Sequence, residues 1–302
     1  MKLVFLDALT LGDIDLSRFE KLGEVEIYQT TSKEETLNRV KNADIVLTNK
    51  VVIDKKIMDN SNIKMIQILA TGMNNVDLEY AKNKGIIVKN VAGYSTNSVA
   101  QLTFAFVLNI LNKVNYFNDY VNNEYMNSDI FTHIIDFSEL NGKVWGIIGL
   151  GEIGKKVAKI AEAFGCEVVY YSTSGKNNNS EYKRISLEEV LQSDIISIHA
   201  PLNENTKNLL NKDNLHLIKK DAILLNLGRG GIVNEKDLAD IIDKQGFFAG
   251  FDVFENEPIN EDNPLLKVKN IYLTPHIAWA SKEAREKLIT LAYENLKEFI
   301  EI

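Results

Sequence analysis

Short runs of aliphatic and β-branched residues alternate with segments of helical periodicity along the whole chain. Such alternation is typical of parallel sheets built from β-α-β units. Strands are predicted at residues 3–6, 25–29, 44–47, 65–69 and 86–89, and again at 144–149, 167–171, 195–199, 223–227, 249–253 and 271–273. Because one open sheet of about twelve strands would be unusual, the pattern favours an α/β protein with two doubly wound parallel-sheet domains.

The segments between the strands carry helix signals. Ser32 is placed to cap a helix that runs to residue 40, and Glu35 would complete a capping box. The helical segment 76–83 stops before Gly85, a residue suited to a helix C-terminus. A largely apolar stretch predicts one long helix over about residues 95–121, followed by an irregular arm over 122–141. A last helix is predicted over 281–300.

Composition and charge exclude several function classes. The chain has 302 residues, and 34 Lys and Arg against 42 Asp and Glu give a net charge of −8, so no nucleic acid is expected as a partner. The only cysteine, Cys166, cannot form an intramolecular disulfide, and the four histidines show no metal-binding spacing. Neither a membrane-spanning run nor a signal-peptide pattern is present. We expect a cytoplasmic protein with no metal and no membrane partner.

A glycine-rich turn follows the predicted strand at 144–149. Gly149, Gly151 and Gly154 form a GxGxxG pattern, and helical periodicity continues over 155–164. In this context the first glycine permits a tight turn, the second lets the backbone approach a pyrophosphate, and the third allows close packing of helix on strand. The helix N-terminus offers unpaired N–H groups to the anion. The turn predicts a dinucleotide site, the alternative being a βα turn without a ligand.

The strand after this turn bears on the choice between NAD and NADP. A carboxylate that binds the ribose 2′-OH of NAD is expected about 20 residues after the motif. Ser172 stands there instead, followed by Thr173, Ser174 and Lys176. Hydroxyls and an ammonium group suit a 2′-phosphate, which favours NADP(H) slightly. The alternative is that Lys176 belongs to a solvated loop.

Six linked motifs carry a resemblance to a known family. They read NVAGYSTNSVAQ (90–101), GLGEIG (149–154), HAPLNENT (199–206), LLNLGRGGIVNE (224–235), GFDVFENEP (250–258) and LTPHIAWAS (273–281). In this order and spacing they resemble the D-isomer-specific 2-hydroxyacid dehydrogenases, nearest the hydroxypyruvate reductase/glycerate dehydrogenase branch. The resemblance covers about residues 65–290. It implies hydride transfer between NAD(P) and a small 2-oxo or 2-hydroxy acid of the D series.

The resemblance places the family's catalytic residues on Arg229, Glu257 and His276. Arg229 would meet the planar carboxylate and the carbonyl of a 2-oxo acid with parallel N–H donors. His276 would give a proton to the carbonyl oxygen as hydride arrives and take it back in the oxidation. Glu257 would fix the tautomer of that imidazole and favour its charged form. Taken singly, each residue also has an ordinary structural interpretation.

Further contacts are implied by the same resemblance. Thr71 and Gly72, in the loop whose N–H groups hold the substrate carboxylate, and Tyr94 would border the substrate together with Arg229. The family's Asp-Asn pair is replaced here by Asn74 and Asn75. His199 is interpreted as structural or as a peripheral cofactor contact. Cofactor contacts beside the glycines and the 172–176 segment would come from Glu152, Ile153, Ala200, Pro201, Thr206, Leu227, Gly228, Asp252 and His276.

The family analogy also implies an organisation of the chain. Residues 1–95 would form a flavodoxin-like substrate domain and 96–278 a Rossmann dinucleotide domain, while 279–302 would return to the first. The long helix and the arm would form a homodimer, although packing within one subunit would also satisfy the helix. Two other functions remain open: a dinucleotide-sensing regulatory module on the same fold, and formate dehydrogenase. The Glu at position 257 disfavours formate dehydrogenase, whose members are expected to carry Gln at this position.

Overall fold

The computed structural model describes residues 1–179 and 181–301, which form two compact units. The first contains Met1–Ser95 and the chain from Trp279 onward, and the second spans Thr96–Ala278. Each unit is built on its own parallel sheet, of five and seven strands. The predicted α/β class with two doubly wound sheets is therefore confirmed, and the alternative of one large sheet is wrong.

The sheet of the first unit has the strand order β2-β1-β3-β4-β5, with every neighbouring pair parallel. This order is flavodoxin-like. Successive strands are added on one side of β1 as far as β2 and then on its other side from β3 onward, so the strand order reverses between β1 and β3. The strands are β1 (Lys2–Phe5), β2 (Glu24–Ile27), β3 (Ile45–Thr48), β4 (Met65–Ile68) and β5 (Ile87–Lys89). The helices are α1 (Lys33–Val40), α2 (Lys55–Asp59), α3 (Leu78–Asn83) and a C-terminal helix (Lys282–Glu301), with 3-10 turns at Ala8–Leu11 and Ser17–Lys21.

Alternate side chains of these strands enter two separate apolar cores. Leu3 and Phe5 belong to the core that includes Leu288 and Ala292 of the C-terminal helix. Val4, on the opposite face of β1, belongs to the core beneath α1 and α2. β1 is buried on both faces and therefore reads as an almost continuous apolar run, which made this strand predictable. The capping box of Ser32 and Glu35 is also confirmed.

The sheet of the second unit has the strand order β12-β11-β10-β9-β6-β7-β8 and is parallel throughout. The order reverses between β6 and β9, as in a Rossmann fold. The strands are β6 (Val144–Ile148), β7 (Glu167–Tyr171), β8 (Lys183–Arg184), β9 (Ile195–Ile198), β10 (Ile223–Asn226), β11 (Phe248–Phe251) and β12 (Ile271–Leu273). The helices are α4 (Thr96–Asn112), α5 (Val114–Asn123), α6 (Glu152–Ala163), α7 (Leu187–Val190) and α8 (Glu235–Gln245), with 3-10 turns at Tyr125–Asn127, Leu215–Leu217 and Pro264–Lys267.

The single long helix predicted over 95–121 is wrong. Lys113 adopts a left-handed conformation, with φ 51°, and separates α4 from α5. The apolar side of α4, which includes Phe104, Val107 and Ile110, is buried within its own unit. In contrast, α5 buries no residue, and the arm after it exposes large apolar side chains, with Phe131 90% exposed.

Smaller differences concern the ends of elements. The short edge strand β8 was not predicted, and helix α6 begins at Glu152 rather than at residue 155. None of the helices in the described part of the chain is long and apolar enough to cross a membrane.

Candidate active site

The glycine-rich turn lies where the second sheet reverses its strand order. Gly149 follows β6 with φ 94°, a conformation that favours glycine, and a Cβ there would lie 3.0 Å from the backbone of Ala200. Gly151 is the N-cap of α6, has no side-chain cap, and has open space where a Cβ would point. At Gly154 a Cβ would collide with the carbonyl oxygen of Gly149. The three glycines therefore have the separate roles that a pyrophosphate-binding turn requires.

A pocket of about 280 Å³ opens beside this turn. Seven of the predicted cofactor residues line it: Gly149, Gly151, Ser172, Thr173, Ser174, Ala200 and Pro201. His199, interpreted from the sequence as structural or as a peripheral cofactor contact, also lines it. The other lining residues, which were not predicted as cofactor contacts, are Leu150, Asn177, Asn203 and Asn205. None of the lining side chains is charged near pH 7, which leaves shape and hydrogen bonding for the recognition of a ligand.

Asn177 folds the loop after β7 back onto the glycine-rich turn. Its Nδ2 donates to the carbonyl oxygen of Leu150 at 2.6 Å, and its backbone N–H donates to Oγ of Ser172 at 3.3 Å. Ser172 itself is buried. Lys176 is exposed and does not line the pocket. Asn177 was missed because an amide in a polar NNN run gives no sequence signal of its own.

His199 directly follows β9 and lies in an unusual environment. Neither ring nitrogen has a hydrogen-bond partner within the described residues, although both atoms are shielded from solvent. Burial lowers the pKa of His199 to about 3, so the imidazole is neutral near pH 7. A neutral imidazole lining the pocket can offer one donor and one acceptor to a polar ligand.

Other predicted cofactor residues shape the site without lining the pocket. Thr206 is fully buried, and its hydroxyl donates to the carbonyl oxygen of Pro201 at 2.6 Å. Leu227 is buried after β10, and a Cβ on Gly228 would lie 3.0 Å from the carbonyl oxygen of Ala200. Glu152 and Ile153 are in the first turn of α6.

Asp252 organises the segment that carries His276. Its Oδ1 accepts hydrogen bonds from the Thr274 hydroxyl at 2.6 Å and from the Ile277 N–H at 2.8 Å, while Oδ2 accepts from the Ala278 N–H at 2.9 Å. Burial raises the pKa of Asp252, and the three hydrogen bonds oppose that shift. The predicted cofactor contact is therefore also a support for the loop after β12.

His276 and Glu257 form a hydrogen-bonded pair. Nδ1 of His276 lies 2.6 Å from Oε2 of Glu257, and the two side chains are 22% and 28% exposed. The other carboxylate oxygen, Oε1, accepts from the Phe254 N–H at 3.1 Å. His276 has φ 53°, a conformation that the hydrogen bonds of Asp252 on either side help to hold. With Nδ1 engaged, Nε2 is the ring nitrogen left for proton transfer.

Arg229 lies on the neighbouring loop, after β10. Asn226 fixes this loop, because its Nδ2 donates to the carbonyl oxygen of Arg229 at 2.9 Å and its Oδ1 accepts from the Gly228 N–H at 3.1 Å. Among residues 1–179 and 181–301, no carboxylate lies within 4.0 Å of the Arg229 guanidinium. Gly230 packs against the backbone of Phe254 so closely that a Cβ would collide with it. The loops of Arg229 and Glu257 are therefore in direct contact.

The predicted substrate residues of the first unit lie at the carboxyl ends of β4 and β5. Thr71 is held from two directions, because its hydroxyl donates to the Val91 carbonyl oxygen at 3.1 Å and its own carbonyl accepts from Asn90 Nδ2 at 2.6 Å. Gly72 follows it and is half-buried. Tyr94 is buried, with its ring edge-on to Trp279 at a centroid distance of 6.3 Å.

Asn75, which keeps the second residue of the family's Asp-Asn pair, links two loops of the first unit. Its side-chain Nδ2 donates to the Val51 carbonyl oxygen at 3.0 Å, and its backbone carbonyl oxygen accepts from the Ile53 N–H at 2.8 Å. Asn75 therefore joins the loop after β4 to the loop after β3, whereas Asn74 is exposed.

Comparisons with known proteins identify the family of this chain. The family model described as "D-isomer specific 2-hydroxyacid dehydrogenase, NAD binding domain" matches residues 104–278. The chain is 41% identical to a hydroxypyruvate reductase of Blautia hydrogenotrophica, over 99% of this chain and 97% of that protein. Among solved structures, D-lactate dehydrogenase from Aquifex aeolicus, complexed with NAD and lactic acid, is similar with a TM-score of 0.85 and 27% identity, covering 100% of this chain and 96% of the other.

A second solved structure differs in its bound dinucleotide. An acyclic imino acid reductase in complex with NADPH and D-arginine matches with a TM-score of 0.88 and 29% identity, covering 100% of this chain and 97% of the other. The similar structures therefore include one that holds NAD and one that holds NADPH.

Proposed function

This chain belongs to the D-isomer-specific 2-hydroxyacid dehydrogenase family, and from that premise we propose that it interconverts a small 2-oxo acid and its D-2-hydroxy acid. As a member it is a nicotinamide-dependent oxidoreductase. We favour glyoxylate or hydroxypyruvate as the 2-oxo acid, because the relative at 41% identity is a hydroxypyruvate reductase.

The observation that carries the proposal is the position of three side chains at one sheet edge. Arg229, Glu257 and His276 follow β10, β11 and β12, which are adjacent parallel strands. The carboxyl ends of parallel strands meet at the same edge, where open α/β sheets bind ligands. The glycine-rich turn follows β6 at that same edge.

The bound nicotinamide supplies or accepts the hydride at the substrate's C2. The protein's own part is proton transfer and binding. Nε2 of His276 donates a proton to the carbonyl oxygen during reduction, while Glu257 holds Nδ1 and stabilises the protonated ring. The guanidinium of Arg229 binds the substrate carboxylate and polarises the carbonyl.

For the cofactor we propose a preference for NADPH. No carboxylate lines the described pocket beside the glycine-rich turn, so nothing there accepts a hydrogen bond from the ribose 2′-OH as an acid would. The same uncharged lining does not repel a 2′-phosphate, and Lys176 lies in the loop that borders it.

We propose that the protein is a homodimer formed through α5 and the arm. Met126, Phe131 and Ile134 are each at least 80% exposed, so large apolar side chains of the arm are open to solvent. Light scattering should show a dimer for the native protein and a monomer for Phe131→Asp. A monomeric native protein would contradict the assignment.

A substrate panel tests the reaction. Purified protein is assayed with glyoxylate, hydroxypyruvate and pyruvate, each with NADH and with NADPH, and the product is identified as the D or L isomer. We expect turnover of at least one acid to a D product. Tight dinucleotide binding without turnover of any 2-oxo acid would favour the second candidate, a dinucleotide-sensing regulatory module. The intact pair of Glu257 and His276 disfavours that module.

A further inference from the structure

A buried carboxylate stands at the start of α8. Glu235 is the first residue of this helix, a position where acidic side chains usually stay in solvent and interact with the helix N-terminus. Only 6% of Glu235 is exposed. No Lys, Arg or His in the described ranges lies within 4.0 Å of its carboxylate. Such a group needs good hydrogen-bond donors to offset its desolvation.

The donors come from the two ends of one loop. Oε1 of Glu235 accepts from the Glu255 N–H at 2.7 Å, and Oε2 accepts from Nδ2 of Asn263 at 2.6 Å. Asn263 is also buried, and its Oδ1 caps the next 3-10 turn by accepting from the Leu265 N–H at 3.0 Å. A single carboxylate therefore joins the first and last residues of the segment 255–263.

Apart from the contacts of Glu257 with the Phe254 N–H and with His276, the segment between these two anchors is held mainly at its ends. Most of its residues are exposed, and Ile259 is the one that packs partly against the apolar core of the unit. Glu257 lies in this segment, two residues after Glu255. Its distance to His276 therefore depends on where the ends of the loop are held.

We propose that Glu235 is a positioning residue for the reaction. By binding Glu255 and Asn263, it keeps the carboxylate of Glu257 within hydrogen-bond distance of Nδ1 of His276. The inference rests on the proposed function, in which that pair handles the substrate proton. Glu235 contacts neither substrate nor dinucleotide in this scheme and acts through the loop.

The test is a double-mutant cycle with Glu257. Glu235→Ala should lower kcat by about 10- to 100-fold, because a displaced Glu257 no longer aligns the imidazole of His276 for proton transfer. The dissociation constant of the dinucleotide should stay nearly unchanged. In a Glu257→Gln background, the same change should have little further effect, since both act on one pair. Losses that multiply independently would overturn the proposal. Glu34→Ala, which removes an exposed acid from the first turn of α1, is the matched control and should behave as wild type.

A second variant covers the case in which Glu235→Ala does not fold. Asn263→Ala removes one of the two contacts and leaves the carboxylate of Glu235 bound to the Glu255 N–H. It should reduce kcat in the same direction but less, and again without multiplying the effect of Glu257→Gln. An unchanged kcat in Asn263→Ala would count against the positioning role of Glu235.

A readout that does not need turnover separates this inference from the proposed function. The chain has four histidines, so the imidazole nitrogens can be assigned by 15N NMR. Glu235→Ala should shift the Nδ1 signal of His276 toward that seen in Glu257→Gln, while His216 stays unchanged. If the native protein reduces no 2-oxo acid, the proposed reaction fails, yet this spectrum still decides the positioning role. An unaltered His276 signal would refute it.

Discussion

The carboxylate of Glu257 meets Nδ1 of His276 at 2.6 Å, although 19 residues separate them in the chain. The contact arises because the two residues follow neighbouring parallel strands, β11 and β12, whose carboxyl ends lie side by side. Asp252, at the end of β11, holds the His276 loop, and Glu257 accepts from the Phe254 N–H. Neighbouring strands thus bring the two residues together, and hydrogen bonds within their loops hold them in place.

Replacing the imidazole should remove the proton donor. We expect His276→Gln to lower kcat by about 100-fold or more, the usual scale of general acid catalysis, with little change in dinucleotide affinity. Steady-state kinetics and a binding titration measure the two quantities. His216→Gln, an exposed histidine in a 3-10 turn, is the control. A His276→Gln enzyme with near-native kcat would mean that another group supplies the proton.

Neutralising Glu257 should change the pH dependence of reduction. The carboxylate stabilises the protonated imidazole, whereas the amide of Glu257→Gln does not. The alkaline limb of the kcat/KM profile should therefore move to lower pH in the variant. Glu261→Gln, an exposed acid in the same loop, should leave the profile in place. Superimposable profiles for native protein and Glu257→Gln would argue that the contact has no role in proton transfer.

The geometry of the guanidinium should matter more than its charge. Arg229→Lys keeps the positive charge but loses the planar pair of donors that matches a carboxylate. We expect kcat/KM for the 2-oxo acid to fall by about 10-fold or more, corresponding to at least 1.4 kcal/mol, while dinucleotide binding persists. Arg18→Lys, in the first unit, controls for the substitution itself. Near-native kcat/KM in Arg229→Lys would exclude the bidentate arrangement.

Much of the fold could be predicted because its signals are local, whereas the pairing of Glu257 with His276 was implied by the resemblance to a known family. Strands buried on both faces, such as β3 and β9, are short runs rich in aliphatic residues. The glycines of the phosphate-binding turn have the spacing of a known motif and lie between a strand and a helix. The capping box of Ser32 and Glu35 is likewise a four-residue pattern.

The features that escaped prediction depend on partners distant in the chain or on a backbone conformation that no Gly or Pro signals. Lys113 ends α4 in a left-handed conformation, but neither Gly nor Pro marks the position and the apolar pattern continues beyond it. Asn177 and Glu235 are ordinary polar residues until their partners at Leu150, Glu255 and Asn263 are known.

A carboxylate placed in the pocket should shift cofactor choice. Thr173 lines the pocket and is half-buried, so Thr173→Asp would set a negative charge close to the expected 2′-phosphate. We expect the ratio of kcat/KM for NADPH to that for NADH to fall by about 10-fold or more. Thr173→Asn, similar in size and uncharged, is the matched control. An unchanged ratio would show that the 2′-position binds elsewhere.

The neutral imidazole of His199 should make the protein sensitive to acid. Its pKa falls from 6.5 to about 3 on folding, so between these values the unfolded chain binds a proton that the folded chain excludes. The free energy of unfolding therefore decreases as pH falls through this window, by about 2 kcal/mol between pH 7 and pH 5. His199→Gln does not titrate and should lose less stability over the same range in urea unfolding, whereas the carboxylates act alike in both proteins. Parallel pH dependence in the two would show that His199 is protonated as readily in the folded chain as in the unfolded one.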